Sequence, residues 1–311
     1  MRMLKRSAVA AALVLLPLLV LAVDPERLAD ALADVPPGHA LAALVVVQFQ
    51  IVLSALRWRF TAGRLGHPMS RRRAIREYYL GGILNQTLPG GIAGDATRAY
   101  RTGCSEAGGW KRATAAVVME RLSGQFAFFM LTFVGLLAWA PRLPAEVGLD
   151  LRAVALAALS IVATIIAAVL LSRPLRTWGA RHLLPDIAAV FWKDGAFVIQ
   201  AGLSILIVAG YVATFLIASD AVGAPLPPAA AFTIIPLCLL TMLVPIGVGG
   251  WGSREAAAAL LWPLVGYTSA QGLAASLLYG AFSLAGTALP GLIVYAASAV
   301  GGWRQGTTAV R

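Results

Sequence analysis

Long apolar stretches alternate with short polar loops along this chain. A helix needs about 20 apolar residues to cross a membrane. Six uninterrupted stretches approach or exceed that length, at about 7–23, 39–56, 113–140, 152–172, 196–219 and 270–299. Two further apolar segments, at about 77–97 and 228–266, are interrupted by proline, glycine and charged residues. The pattern predicts an all-α polytopic membrane protein with about six full transmembrane helices and two broken segments.

The two broken segments are built alike. In each, glycines follow a proline, and an arginine comes nine residues after that proline, as in Pro89 to Arg98 and Pro245 to Arg254. In lipid, irregular backbone is tolerated only where it is buried in protein or lines a cavity. A matched pair of broken segments in the two halves of a chain indicates a transport site.

Composition excludes other classes of protein. Of 311 residues, 59% are hydrophobic and 13% are charged, and the mean hydropathy is +0.79. The net charge of +11 comes from basic residues in the loops between apolar stretches, which is typical of membrane topology rather than nucleic-acid binding. Cys104 and Cys238 are far apart and the three histidines are isolated, so we predict no metal and no cofactor.

The distribution of basic residues predicts the orientation. With a cytoplasmic N-terminus, 20 of the 25 basic residues fall on the cytoplasmic side. The segment 77–97 then enters and leaves from the cytoplasm, and the segment 228–266 dips in from outside. We therefore predict one domain over 1–311, an inverted-topology repeat of 1–140 and 141–311, with both termini cytoplasmic. The alternative is that 228–266 forms two short full spans.

The charged residues of the broken segments predict an anion site. Arg98 and Arg254 would each lie beside a helix start, where free N–H groups and the positive helix end attract anions. The planar guanidinium suits phosphate because it donates two parallel hydrogen bonds. Alternatively, Asp95 and Arg98, and likewise Arg254 and Glu255, only neutralise each other at the hairpin tips.

Glu120 and Arg121 form a third polar cluster, inside the apolar stretch 113–140. Ionisable groups within a membrane usually face a bundle interior or a wet cavity. Alternatively, the two side chains extend to the cytoplasmic surface as an ion pair. A protonatable Glu120 would allow proton-coupled transport, which is a hypothesis.

Three motifs resemble a known family: Asn85-x-x-x-Pro-Gly-Gly-x-x-Gly-Asp-x-x-Arg98, Glu120-Arg-Leu122 and Pro245-Ile-Gly-Val-Gly-Gly-x-x-x-Arg-Glu255. They are similar to the flippase-like transmembrane domain of lysylphosphatidylglycerol synthases, which also occurs as stand-alone proteins. The resemblance covers nearly the whole chain. It departs at Ala93, where glycine is usual, and at Trp251, whose indole would narrow a cavity. No aminoacyl-transferase domain is seen, so we expect no lysyl-lipid synthesis by this chain alone.

The resemblance implies a transporter rather than an enzyme, located in the bacterial cytoplasmic membrane. Its substrate would be a phospholipid, an aminoacyl-phospholipid or a polyprenyl-phosphate-linked lipid. The expected substrate-binding residues are Asn85, Pro89, Gly90, Gly91, Gly94, Asp95, Arg98, Glu120, Arg121, Pro245, Gly247, Gly249, Gly250, Arg254 and Glu255.

Two other function classes stay open. One is a lipid-binding accessory subunit of a membrane glycolipid-synthesising or lipid-modifying enzyme. The other is an intramembrane transferase acting on polyprenyl phosphate, with Asp95 and Glu120 as acid and base. Two protein partners also stay open: a second copy of this chain and a membrane-bound lipid-modifying enzyme.

Overall fold

The computed structural model describes residues 25–33, 35–88, 92–104, 109–139, 184–243 and 250–308. These residues are almost entirely helical and contain no strand. The helices are α1 (Pro25–Ala33), α2 (Pro37–Arg64), α3 (Arg71–Thr87), α4 (Ala93–Gly103), α5 (Gly109–Trp139), α6 (Leu184–Phe191), α7 (Ala196–Ala221), α8 (Pro228–Leu240), α9 (Ser253–Leu261) and α10 (Ser269–Thr308). Short 3₁₀ turns lie at Lys193–Gly195, Thr241–Leu243 and Trp262–Val265.

Four helices in the described part of the chain are long and apolar enough to cross a membrane. Their bounds are Pro37–Arg64, Gly109–Ala138, Lys193–Ala221 and Ser269–Val294. They coincide with the predicted spans 39–56, 113–140, 196–219 and 270–299, and the prediction of an all-α polytopic membrane protein is confirmed. The predicted spans 7–23 and 152–172 lie outside the described residues.

Both broken segments contain separate helices. In the first, α3 ends at Thr87 and α4 begins at Ala93. In the second, α8 passes into a 3₁₀ turn at Thr241, and α9 begins at Ser253. The residues between them, 89–91 and 244–249, lie outside the described part. The re-entrant arrangement and the inverted repeat stay predictions.

Helix α2 shows why an apolar stretch becomes a span with two faces. Pro37 begins the helix with a backbone angle that already suits it. Ala43, Val47 and Ile51 recur every four residues and are buried against the protein. Leu41 and Phe49 on the opposite side are exposed. An exposed apolar face on a membrane helix is suited to contact with lipid.

The C-terminal end of α2 lies further along the chain than the sequence predicted, which changes the position of Arg57. The span was predicted to end near residue 56, which placed Arg57 in a cytoplasmic loop. The helix instead continues to Arg64, and Arg57 is buried within it. A buried arginine ends a run of hydropathy without ending a helix, because a partner from another helix can balance its charge.

Large side chains from α7, α10 and the 3₁₀ turn Trp262–Val265 fill much of the main core. Phe215 stacks on Tyr279 with ring centroids 4.8 Å apart, and it lies 5.5 Å from the ring of Trp262. Helices α3 and α4 meet through glycines instead: a Cβ atom added to Gly94 would lie 1.8 Å from the carbonyl oxygen of Gly81. This close approach positions α4, and with it the charged residues of the candidate site.

Candidate functional site

A cavity of about 460 Å³ lies between the two broken segments. Helices α2, α3, α5, α7 and α10 form its walls, and residues of α4 and α9 project into it. The sequence-predicted residues that line it are Asn85, Asp95, Arg98, Glu120, Arg121, Gly250 and Arg254. The structure therefore brings together predicted residues that are as much as 169 positions apart in the chain.

The other predicted site residues have different positions. Glu255 is fully buried beside Arg254 rather than on the cavity wall. Gly94 packs against Gly81. Pro89, Gly90, Gly91, Pro245, Gly247 and Gly249 lie outside the described residues.

Charges alternate along one side of the cavity, in the order Arg57, Glu120, Arg98, Asp95, Arg121. Arg57 Nη2 donates to Glu120 Oε1 at 2.8 Å, and Arg98 Nη2 donates to Glu120 Oε2 at 2.8 Å. Asp95 accepts from Arg98 through Oδ1 and from Arg121 Nε through Oδ2, the latter at 2.7 Å. Each carboxylate thus bridges two arginines, and three guanidiniums share two negative charges.

The ion pairs in this network differ from two that the sequence suggested, Glu120 with Arg121 and an isolated pair of Asp95 with Arg98. Glu120 does not form an ion pair with its neighbour Arg121. Instead, Glu120 binds Arg57 from α2 and Arg98 from α4, while Arg121 binds Asp95. The local pairing of Asp95 with Arg98 is present, but it is one link of a larger network.

The guanidinium of Arg98 lies against two aromatic rings. Its Cζ atom lies 4.8 Å from the ring centroid of Trp58 and 4.7 Å from that of Tyr78. Aromatic faces attract cations, especially where water is excluded. Its Nη1 is buried and has no hydrogen-bond partner among the residues that the structure describes, which is unusual because buried N–H groups are normally satisfied. One donor of this guanidinium is therefore available to a further acceptor.

Arg254 lies in a matching environment in the second half of the chain. Its Nε donates to Ser276 Oγ at 2.9 Å, and its Nη2 pairs with Glu255 Oε1. The rings of Trp251 and Tyr279 lie 5.2 and 4.8 Å from its Cζ. Trp251 does line the cavity. Each half thus supplies one buried arginine held by a carboxylate and two aromatic rings.

Three backbone N–H groups at the helix starts are bound by side chains, although the sequence led us to expect free N–H groups there. Asn85 Oδ1 accepts from the backbone N–H of Gly94 at 2.7 Å and of Asp95 at 3.4 Å. Glu255 Oε2 accepts from the N–H of Gly252 at 2.6 Å. The expectation is therefore wrong for these three groups.

Sequence analysis missed Arg57 and a polar stripe on α2. The members of this stripe are buried and recur at helical spacing, at Gln50, Ser54, Arg57 and Thr61. Polar residues spaced by three and four positions share one face of a helix. In an apolar helix this spacing is the signal that would have identified them.

Comparisons with known proteins agree with the motifs. Residues 6–291 match the model of the family described as Lysylphosphatidylglycerol synthase TM region. A UPF0104 membrane protein from Methanothermobacter thermautotrophicus is 26% identical over 125 residues, which are 39% of this chain and 37% of that protein. The chain thus aligns with little more than a third of that relative's length.

Proposed function

Because this chain belongs to the family of lysylphosphatidylglycerol synthase transmembrane regions, we propose that it moves an anionic, phosphate-bearing lipid between the leaflets of the bacterial cytoplasmic membrane. The observation that carries the proposal is the cavity between the broken segments, which Arg98 and Arg254 enter from opposite halves of the chain. Family membership and the membrane-spanning helices support a lipid-related role. The charges of the cavity support the choice of headgroup.

The balance of charge at the site favours an anion. Among the described residues, four arginines (Arg57, Arg98, Arg121 and Arg254) contact three carboxylates (Asp95, Glu120 and Glu255). With all of these groups ionised, one positive charge is left over. The single negative charge of a phosphodiester headgroup would balance it, whereas a headgroup with a net positive charge would be repelled.

The size and lining of the cavity favour a headgroup over a whole lipid. About 460 Å³ lies within the range of small-molecule pockets, roughly 300–1,000 Å³. Polar side chains such as Gln50, Gln125 and Tyr211 also line it. The acyl or prenyl tails stay in the membrane, because exposing them to a polar cavity would cost about 0.8 kcal/mol per CH₂ group. Rocking of one half against the other would then alternate the access of the headgroup to each leaflet.

The arrangement of the carboxylates disfavours the transferase alternative. General acid–base catalysis needs a carboxyl group that can reach the substrate's proton. Both oxygens of Asp95 and both oxygens of Glu120 already accept hydrogen bonds from arginines. We therefore propose that the chain is a transporter and not an enzyme.

Leaflet exchange in proteoliposomes tests the proposal. Vesicles holding only this protein contain a trace of phosphatidylglycerol labelled on one acyl chain, and a membrane-impermeant reductant quenches the label in the outer leaflet. We expect quenching to continue into the inner-leaflet pool, and to slow strongly in Arg98→Gln and Arg254→Gln. Arg72→Gln, which removes an exposed arginine at the start of α3, is the matched control and should exchange like the wild type.

The remaining outcomes separate the alternatives. Acyl-labelled phosphatidylcholine and a labelled polyprenyl phosphate are run in parallel to identify the headgroup class. Binding of a phosphate-bearing lipid without exchange of any of the three would replace the transporter proposal with the accessory-subunit function. Full exchange by folded Arg98→Gln and Arg254→Gln would refute the role of the two arginines.

A further inference from the structure

Asp95 occupies the position that an anionic ligand of this cavity would take. Its Oδ1 lies 3.0 Å from Nε and 2.9 Å from Nη2 of Arg98, so one oxygen is held by two donors of the same guanidinium. Its Oδ2 lies 2.7 Å from Arg121 Nε. Guanidinium groups hold carboxylate and phosphate oxygens through the same N–H donors. Asp95 therefore uses donors that a phosphate headgroup would need.

Exposure distinguishes Asp95 from the other two carboxylates of the site. Asp95 and Glu120 both line the cavity, but the side chain of Asp95 is 13% exposed, whereas that of Glu120 is 1% and that of Glu255 is 0% exposed. Arg121, the partner of Asp95, is 43% exposed, so this ion pair is open to competition from the cavity. Glu120 is instead enclosed between Arg57 and Arg98.

The surroundings of Arg98 allow its carboxylate partner to change. The rings of Trp58 and Tyr78 contact the guanidinium independently of Asp95. Glu120 holds Nη2 from another helix. If Asp95 turned away, these contacts would keep Arg98 in place. Nε would then be available as a donor, together with Nη1, which has no partner in the described part of the chain.

We propose that Asp95 is a built-in substitute anion: it holds Arg98 and Arg121 until a phosphate headgroup displaces it and binds the same two guanidiniums. This inference rests on the proposed function, and it states how the binding and release of the headgroup are controlled at that site. Displacement has two consequences. An uncharged headgroup does not compete with Asp95 for the two cations, which makes the site selective for anions. In addition, the returning carboxylate helps to expel the headgroup, which lets a transporter release what it binds.

The expected change in the apparent Kd follows from the competition between Asp95 and the headgroup for the two arginines. When only a fraction of the protein is free to bind, the apparent Kd equals the intrinsic Kd divided by that fraction. If the state in which Asp95 holds the arginines is favoured by roughly ten to one, removing its charge lowers the apparent Kd about tenfold. A residue with only a structural role would not tighten binding when it is replaced.

Asp95→Asn is the variant that tests this, because the amide keeps the shape of the carboxylate and removes its charge. The probe is dihexanoyl phosphatidylglycerol, titrated by calorimetry into purified full-length protein in an uncharged detergent. We expect the Kd to fall about tenfold and leaflet exchange to slow, because the headgroup leaves more slowly. The matched control is Asp194→Asn, which removes an equal charge from a side chain that is 82% exposed and pairs with Arg64 outside the cavity. Its Kd should equal that of the wild type.

The outcomes separate this inference from the proposed function. Equal or weaker binding by folded Asp95→Asn overturns the substitute-anion role, even where the wild type binds and exchanges lipid. Failure of the wild type to bind the probe, together with failure to exchange any lipid, overturns the proposed function itself. Asp95→Ser, which also suits the first turn of a helix, serves as the second charge-removing variant if the asparagine variant does not fold. The same tightening is expected of it, and its absence counts against the inference.

Discussion

Glu120 is the carboxylate on which the folded state of the cavity depends most directly. It is buried, and it accepts hydrogen bonds from Arg57 and Arg98 at 2.8 Å each and from the Tyr78 hydroxyl at 3.4 Å. Glu120→Gln keeps the shape of the side chain and removes its charge. The amide oxygen can still accept from one arginine, but the amide nitrogen then faces the donors of the other.

The expected cost follows from the burial of the three groups. Removing one partner of a buried ion pair destabilises proteins by about 3–5 kcal/mol, because the remaining charge is left buried without compensation. Arg98 keeps Asp95 as a partner, so we expect the lower end, about 3 kcal/mol. This is on the order of a hundredfold change in the folding equilibrium constant.

A second substitution tests whether the cost arises from charge. Arg57→Met removes one of the two cations that Glu120 binds and keeps an apolar stem of similar length. In the Glu120→Gln background it restores the balance of charge, so the double variant should be less destabilised than the sum of the single variants. The coupling energy is expected to be about 2 kcal/mol.

Reversible unfolding in mixed micelles, followed by tryptophan fluorescence, measures these free energies. Asp194→Asn is the control, since it breaks an exposed ion pair with Arg64 and should cost less than about 1 kcal/mol. If Glu120→Gln were as stable as this control, Glu120 would not be the counter-ion of the two arginines. Strict additivity in the double variant would likewise refute the argument from charge.

Two further substitutions test how α4 is held. Gly94→Ala should destabilise the protein by about 1–3 kcal/mol, because the added Cβ atom would lie 1.8 Å from the Gly81 carbonyl oxygen. The control is Gly63→Ala, whose added Cβ atom meets nothing within 4 Å. This variant should be neutral or stabilising in the same unfolding assay. Asn85→Ala should cost about 1 kcal/mol, because the Gly94 N–H loses its acceptor, and limited proteolysis after α3 should become faster. Full stability of either Gly94→Ala or Asn85→Ala would contradict the packing described here.

The helices were predictable from sequence because the signal for a membrane span is local. Twenty apolar residues in a row specify a helix whatever its neighbours are, and α2, α5, α7 and α10 follow that rule. Their ends were less predictable. Arg57 ends the apolar run but not the helix, since its charge is balanced by Glu120, which lies 63 positions later in the chain. A hydropathy pattern holds no information about such a distant partner.

In the candidate site, as in the helices, the local features were predictable from sequence and the distant contacts were not. The repeated proline, glycine and arginine pattern singled out Arg98 and Arg254, and both line one cavity in the structure. The partners of these arginines were predictable only where they are local, as with Asp95 and Glu255. The bridge from Arg98 to Glu120 and the aromatic rings of Trp58 and Tyr78 depend on how α2, α3 and α5 pack around α4. Sequence spacing does not specify that packing.

If the chain binds a phosphate headgroup as proposed, the two carboxylates that line the cavity, Asp95 and Glu120, act on folding and on lipid binding in opposite directions. Each one balances arginines in the folded protein, and each one would also compete for the donors that the headgroup uses. Burial decides which effect is larger. Glu120 is enclosed, so a headgroup gains little by its removal and the fold loses a counter-ion. Asp95 faces the cavity, so its removal leaves most of the fold intact and frees donors for the ligand. Glu120→Gln should therefore change stability far more than affinity, and Asp95→Asn should do the reverse. If the two variants changed both quantities alike, exposure to the cavity would not be what separates a structural carboxylate from a competing one.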